Sequence, residues 1–196
     1  MRRRVLNVAF GLAVAIGAIV ALAIFGTIVL LTTGTVRTYS AVSASMTPAL
    51  ECAEPAPGCE SDTSDRFAVS TRFGSHDRGD IVVFQTPPPA ETKCGTNGRF
   101  VQRVVGLPGE TLEIRVRGGL AYVHADGVEL DEPYLEPDRR GSGPAETFRV
   151  PQGSLFLMGD NRDRSCDSRV VGPVPQENVV GEVVLTYWPP GRISFR

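Results

Sequence analysis

The chain has 196 residues, which at about 100–200 residues per domain allows one compact domain with an appendage. Its formal net charge is −2, from 20 basic and 22 acidic residues, and this balance gives no indication of a nucleic-acid partner. A hydrophobic content of 42% with 21 glycines and 15 prolines is typical of a turn-rich β domain and excludes a coiled coil or a disordered chain.

The first predicted element is an apolar segment near the amino terminus. Residues 8–31 carry no charge, and a helix needs about 20 apolar residues to cross a bilayer core of about 30 Å. The segment is apolar on all sides, unlike a core helix, and it is longer than the apolar part of a signal peptide, which runs about 7–15 residues. The pattern therefore predicts an uncleaved transmembrane anchor over residues 8–34.

The charges that flank this segment predict its orientation. Arg2, Arg3 and Arg4 precede it, and positively charged flanks remain in the cytoplasm. We therefore expect residues 1–7 to be cytoplasmic and residues 35–196 to form an extracytoplasmic domain of a single-pass cell-membrane protein. Membrane lipid is accordingly an expected partner.

The rest of the chain has the pattern of β structure. Short runs rich in Val, Ile, Phe, Tyr and Leu alternate with Gly, Pro and Asp, and Asp126-Gly127 predicts a hairpin turn. Because the anchor is the only long helical pattern, the predicted fold is a mainly β extracytoplasmic domain with one N-terminal transmembrane helix. The predicted strands are Arg37–Ser43, Phe67–Ser70, Asp80–Gln85, Phe100–Val105, Thr111–Val116, Ala121–His124, Leu155–Met158 and Val179–Trp188.

The four cysteines are consistent with a location outside the cytoplasm. Their number is even, and no two have the C-x-x-C spacing of zinc or redox motifs, so we expect no metal site. Cys52 and Cys59 flank a short turn, which makes a local bridge plausible. That leaves Cys94 and Cys166 as a candidate long-range pair, with four unpaired buried thiols as the alternative.

Four short blocks of sequence are candidates for the chemistry. They are S-A-S-M-T-P at 43–48, R-G-D-I-V-V-F at 78–84, R-V-V-G-L-P-G-E at 103–110 and G-D-N-R-D-R-S-C-D-S-R at 159–169. Each of the first three alone is compatible with an ordinary turn or strand end. The fourth is so dense in charges and hydroxyls, between an apolar strand and two valines, that it predicts a hydrogen-bonded loop holding a site.

Together and in this order, the anchor and the four blocks resemble the bacterial type I signal peptidases of the S26 family. These are membrane-anchored serine endopeptidases that remove signal peptides from exported preproteins. The resemblance implies a serine–lysine dyad on a β-rich fold, with no cofactor. It also implies substrates with small residues at −1 and −3 (Ala-X-Ala), bound as an added β-strand, and the secretion translocon as a candidate partner.

The resemblance assigns roles to individual residues. Ser45 matches the nucleophile, and the Ser43 hydroxyl matches the donor that forms the oxyanion hole together with the Ser45 backbone N–H. Ser165 matches the hydroxyl that orients the general base. The charged residues that match the structural wall of the site are Arg103, Asp160, Arg162, Asp167 and Arg169.

The expected base is absent at its position. The residue immediately before Arg103 should be the dyad lysine, and here it is Gln102, whose amide is not basic. Loss of a general base typically costs a factor of about 10²–10⁴ in rate. Three hypotheses follow: a peptidase that uses another base, a non-catalytic relative that binds signal peptides, and a Ser–His–Asp hydrolase that uses His76 or His124. The first is favoured because the other matched positions are filled, whereas the third lacks a G-x-S-x-G motif.

Lys93 is a candidate substitute base because it is the only lysine in the chain. It precedes Gln102 by nine residues, too far to reach the site along one extended strand. A bridge between Cys94 and Cys166 would nevertheless bring it near Ser165. The alternative is a solvated loop lysine.

Overall fold

A computed structural model of the chain describes residues 15–27, 29, 34–72, 74–95 and 98–196. The chain divides into two compact units, Met1–Arg37 and Thr38–Arg196. In the first unit, residues 15–27 form helix α1. Among the described residues, none of the helices combines the length and apolar character that a membrane crossing requires. The predicted anchor over 8–34 lies partly outside the described residues, and the cytoplasmic terminus over 1–7 lies wholly outside them.

The second unit is built mainly from β-strands, as the alternating pattern predicts. Two short α-helices, α2 (Pro89–Cys94) and α3 (Ser168–Val171), interrupt them. The strands are β1 (Val36–Ser40), β2 (Arg66–Ser70), β3 (Ile81–Gln85), β4 (Arg99–Gly106), β5 (Thr111–Arg117), β6 (Leu120–Ala125), β7 (Val128–Glu129), β8 (Glu146–Arg149), β9 (Ser154–Met158), β10 (Val174–Pro175), β11 (Val179–Trp188) and β12 (Ser194–Phe195).

These strands form two sheets. The larger has the order β1-β2-β11-β3-β4-β9-β10, with β12 paired to β11, and the smaller has the order β7-β6-β5-β8. The β6–β7 hairpin turns at Asp126 and Gly127, whose φ angles of 48° and 85° are those that a tight two-residue hairpin needs. Every strand in the sequence prediction is present.

The first strand ends earlier than predicted, just before the turn that carries Ser45. The first predicted strand was expected to run to Ser43, but β1 ends at Ser40 because the chain turns into a 3₁₀ helix at Ala44–Met46. Strands β7, β8, β10 and β12 were not among the predicted strands, since runs of two to four residues are too short to show a period of two.

The core places the serine turn directly on the large sheet. Strand β3 is buried on both faces, which explains its continuous apolar run. On one face Val83 belongs to a cluster with Met46 and Leu50, and on the other face Val82 belongs to a cluster with Leu157. Burial of Met46 therefore fixes the turn that carries Ser45.

Both disulfides considered from the sequence are present in the structure. Cys52–Cys59 closes a loop after the serine turn with a Cα–Cα distance of 5.0 Å. Cys94–Cys166 has a Cα–Cα distance of 5.9 Å and joins the end of α2 to the loop that contains Ser165. The long-range bridge thus connects two segments that the sheet alone does not join.

Candidate active site

The Ser43 and Ser45 hydroxyls form the centre of the site. Their Oγ atoms are 3.0 Å apart, within hydrogen-bond distance, and either hydroxyl can be the donor. Both residues line a cleft of about 390 Å³ whose floor includes Met46, Phe67 and Val83. The geometry therefore brings together the two serines that the first sequence block predicted.

The loop at 159–169 holds Ser45 in place from the other side. The Ser45 carbonyl accepts a hydrogen bond of 2.9 Å from the Asn161 backbone N–H. Gly159 allows this approach, because a Cβ there would lie 2.3 Å from Ser165 Oγ and 2.5 Å from the Ser45 carbonyl oxygen. Gly159 and Asn161 were not singled out from the sequence, although both lie within the fourth block.

Gln102 lies in the cleft wall on β4. Its side chain is 1% exposed, and its Nε2 donates a hydrogen bond of 2.8 Å to the Cys166 carbonyl. Its Oε1 and the buried Ser165 Oγ have no hydrogen-bond partner among the described residues. The structure therefore puts the amide in the cleft with Ser45, where the resemblance implies an amine.

The Lys93 side chain binds to the end of α3 and does not line the cleft. Its Nζ donates a hydrogen bond of 2.8 Å to the Val170 carbonyl at the end of α3. Within the described part of the chain, the side chains that line the cleft include no lysine, histidine or carboxylate. The Cys94–Cys166 bridge forms, yet Lys93 is not one of the lining residues.

The two histidines also lie away from Ser45. His124 is on β6 in the smaller sheet, with its Nε2 3.6 Å from a Glu129 carboxylate oxygen. His76 precedes β3, and burial lowers the pKa of its imidazole. Neither side chain lines the cleft as far as the structure describes it.

The charged residues of the predicted site wall form ion pairs. Arg103 makes two hydrogen bonds to the Asp160 carboxylate, of 2.8 and 2.6 Å. Arg169 does the same with Asp167, at 2.8 and 2.7 Å, and the Asp167 carboxylate also accepts from the Gly159 N–H. The bidentate Arg103–Asp160 pair joins the loop to β4, and the bidentate Arg169–Asp167 pair lies within the loop itself.

The partner of Arg162 was missed in the sequence analysis. Its guanidinium pairs with Glu132, a buried residue from the segment between β7 and β8. Glu132 also accepts a hydrogen bond of 2.9 Å from the Tyr134 hydroxyl. Glu132 lies in no recognisable sequence motif, so its role could not be predicted from the sequence. The structure shows that it links the site loop to the segment between β7 and β8 of the smaller sheet.

A second group of titratable side chains lies at the start of β3 and on β11. Ligand-type atoms of His76, Asp80 and Glu182 all lie within 4.8 Å of one another. Burial, together with the carboxylates of Asp80 and Asp77, raises the pKa of Glu182 to about 7. No metal site was predicted from the sequence, in which Glu182 lies far from His76 and Asp80.

Comparison with known proteins gives a consistent result. The family model for signal peptidase, peptidase S26, matches residues 10–188. A probable signal peptidase I-1 of Synechocystis is 39% identical over 125 residues, which cover 63% of this chain and 61% of that protein. A signal peptidase I of Leptolyngbya laminosa is 37% identical over 139 residues, which cover 68% of this chain and 64% of that protein. The matched part of the chain spans about three-fifths of the length of these relatives.

A solved structure is also similar in sequence. The crystal structure of a signal peptidase I from Enterococcus faecalis V583 aligns with a TM-score of 0.43 at 33% identity, covering 57% of this chain and 98% of that chain. The family match over residues 10–188 includes the serine turn, Gln102 and the loop around Ser165. On the strength of that match the chain belongs to the signal peptidases of peptidase family S26.

Proposed function

We propose that the protein binds the signal-peptide region of exported preproteins in this cleft and hydrolyses it slowly after small residues, with Ser45 as the nucleophile. The observation that carries the proposal is the pair of hydroxyls of Ser43 and Ser45, 3.0 Å apart in a cleft of about 390 Å³. Slow turnover follows from Gln102, which fills the position of the base.

The shape of the cleft supports binding of an extended peptide. Residues 39–43 and residues 99–102 of β4 all line the cleft, so two continuous stretches of main chain border it. A peptide in such a place can bind as an added strand through main-chain hydrogen bonds. The floor of Met46, Phe67 and Val83 offers apolar contacts of the kind that suit small alanine-like side chains.

The proposed reaction is acyl transfer through Ser45. Its Oγ attacks the scissile carbonyl carbon, the peptide C–N bond breaks, and the departing amine gains a proton, which leaves an ester that water then hydrolyses. The Ser43 hydroxyl is close enough to Ser45 to donate to the developing oxyanion. Because no lysine, histidine or carboxylate in the described residues lines the cleft, Ser45 gives its proton to solvent, at a cost of about 10²–10⁴ in rate.

Gln102 also favours a second candidate function, which is capture of signal peptides without cleavage. The amide is fully buried, and its Nε2 is held by the Cys166 carbonyl. In this alternative the cleft retains its affinity for peptides, and Ser45 contributes a hydroxyl but no chemistry.

One experiment separates the two candidates. A fluorescent peptide with an Ala-X-Ala site is mixed with excess protein, either wild type or Ser45→Ala, and binding and product are followed over hours. We expect both proteins to bind it and only the wild type to release product. If both proteins bind the peptide but the wild type releases no more product than Ser45→Ala, capture without cleavage is the remaining function. If neither protein binds the peptide, the proposal is refuted.

We further propose that residues 8–34 anchor the protein in the cell membrane with residues 35–196 on the extracytoplasmic side. The support is the uncharged apolar run at 8–31 and the three preceding arginines. Protease added outside intact spheroplasts should degrade a tag placed after Arg196 and spare one placed before Met1. Protection of the C-terminal tag would contradict this orientation. Contact with the secretion translocon is part of the same proposal, and in-cell crosslinking tests it.

A further inference from the structure

We infer that the cleft selects peptides with an acidic side chain close to the scissile bond, and that Arg99 and Arg164 recognise that side chain. The inference rests on the proposed function, because it concerns the peptide that the cleft binds. It assigns specificity to two residues that lie outside the predicted set of catalytic and wall residues.

The first observation is the charge of the cleft lining. Arg99 and Arg164 both line the cleft, whereas no aspartate or glutamate of the described residues does. The chain as a whole carries a net charge of −2, so the positive charge is a local property of the cleft. A concave surface with charges of one sign attracts ligand groups of the opposite sign.

The second observation is that these two guanidinium groups are uncommitted. Both side chains are exposed, and neither has a hydrogen bond or ion pair to another described residue. The arginines of the site wall behave differently, since Arg103, Arg162 and Arg169 each pair with a carboxylate. The wall arginines are therefore structural, while the cleft arginines remain available to a ligand.

The positions of the two arginines indicate where the acidic side chain would lie. A Cβ built at Gly58 would be 2.3 Å from Arg164 Nη1 and 3.3 Å from the Cβ of Ala44, so this guanidinium lies beside the residue that precedes Ser45. Arg99 precedes Gln102 by three residues on β4, which corresponds to about 10 Å along the strand. A carboxylate within about three residues of the scissile bond can therefore reach one of them.

The guanidinium group also suits this ligand chemically. Its planar fork can donate two parallel hydrogen bonds to one carboxylate, which an amide or hydroxyl side chain cannot match. Solvent-exposed pairs of this kind are individually weak, and a combined gain in affinity of about three- to tenfold is expected at low salt.

The test measures peptide binding to the full-length Ser45→Ala protein in detergent, so that cleavage does not interfere. Fluorescence anisotropy compares Ala-X-Ala peptides that carry Glu or Gln at each position from −4 to +3. We expect at least one Glu peptide to bind about three- to tenfold tighter than its Gln partner at about 25 mM salt, with the difference lost at about 0.5 M salt.

Variants identify the residues responsible. Arg99→Gln and Arg164→Gln, separately and together, should remove the preference, because they weaken binding of the Glu peptides more than binding of the Gln peptides. Arg149→Gln is the matched control, because Arg149 is an exposed arginine on β8 that does not line the cleft. Persistence of the preference in the double variant would overturn the assignment.

The outcomes also separate this inference from the proposed function. Equal binding of Glu and Gln peptides would refute the selection for acidic side chains and leave the proposed function intact. Failure of every peptide to bind would refute the proposed function itself.

Discussion

At position 102 a primary amide lies where the family resemblance implies an amine. Its two polar atoms differ in their hydrogen bonding. Nε2 donates to the Cys166 carbonyl at 2.8 Å, whereas Oε1 has no partner among the described residues. Ser165 Oγ is likewise buried without one. Residue 102 therefore offers an unpartnered amide oxygen and no basic group, and the hydroxyl that the resemblance matches to the orienting role is also unpartnered.

Lys93 provides the first prediction at the residue scale. Because its Nζ binds the Val170 carbonyl and its side chain does not line the cleft, Lys93→Ala and Lys93→Arg should both retain the wild-type rate of peptide cleavage. The measurement is product formation under non-reducing conditions. A loss of more than about tenfold in both variants would show that Lys93 acts in the reaction.

Gly159 provides the second prediction. An alanine Cβ would lie 2.3 Å from Ser165 Oγ and 2.5 Å from the Ser45 carbonyl oxygen, so Gly159→Ala must displace the loop or the serine turn. We expect a loss of about 1–3 kcal/mol in unfolding free energy and weaker peptide binding. The matched control is Gly143→Ala, where the added methyl group meets nothing within 4 Å. Equal effects of the two substitutions would contradict this account of the loop.

At the scale of elements, the two disulfides hold loops of very different length. Cys94–Cys166 links residues 72 apart and fixes the end of α2 to the Ser165 loop, whereas Cys52–Cys59 links residues seven apart. A crosslink stabilises mainly by restricting the unfolded chain, and the restriction grows with the logarithm of loop length. The long bridge should therefore contribute more to stability.

This difference can be measured by chemical denaturation. The double variant Cys94→Ser/Cys166→Ser should lose about 4 kcal/mol of unfolding free energy, and Cys52→Ser/Cys59→Ser about 2 kcal/mol. Only the first should also weaken peptide binding, because it releases the loop that positions Gln102 and Ser165. A larger loss from the short loop would contradict the prediction.

The sequence predicted the strands better than the contacts between them. Long strands such as β4 and β11 show their alternation or continuous apolar runs directly, while β10 and β12 have only two residues each. The cysteine spacing made both disulfides plausible without deciding the pairing, since four cysteines allow three connectivities. The Arg162–Glu132 pair joins residues 30 apart and leaves no local pattern, so it required the structure.

For the candidate site, residue identities were predictable and distances were not. The four blocks contain Ser43, Ser45 and Ser165, and the substitution at Gln102 is visible in the sequence. The cleft charge was not predicted, because Arg99 and Arg164 come from segments 65 residues apart that only the fold brings together.

At the scale of the whole molecule, Glu182 makes stability depend on pH. Its pKa is raised from 4.5 to about 7, so between these values the folded state holds a proton that the unfolded state has released. Stability conferred by this protonation is therefore present at low pH and is lost as pH rises towards 7. Above that, the charged carboxylate faces Asp80 and Asp77.

The corresponding variant is Glu182→Gln, which cannot ionise. Its melting temperature relative to wild type should rise progressively between about pH 5 and pH 8, as measured by differential scanning fluorimetry. Glu177→Gln serves as the control and should give a difference that is independent of pH, because Glu177 is an exposed surface residue. A flat profile for Glu182→Gln would refute the prediction.

The central claim is that the cleft is complete except for its base, and Gln102→Lys tests it most directly. Residue 102 is buried in the wall of the cleft that Ser45 lines, and this burial favours a neutral, proton-accepting amine. Single-turnover cleavage of an Ala-X-Ala peptide should accelerate by about 10²–10⁴ in Gln102→Lys. The rate should stay at the wild-type level in Gln102→Met and disappear in Gln102→Lys/Ser45→Ala. A folded, peptide-binding Gln102→Lys protein with no gain in rate would contradict the account.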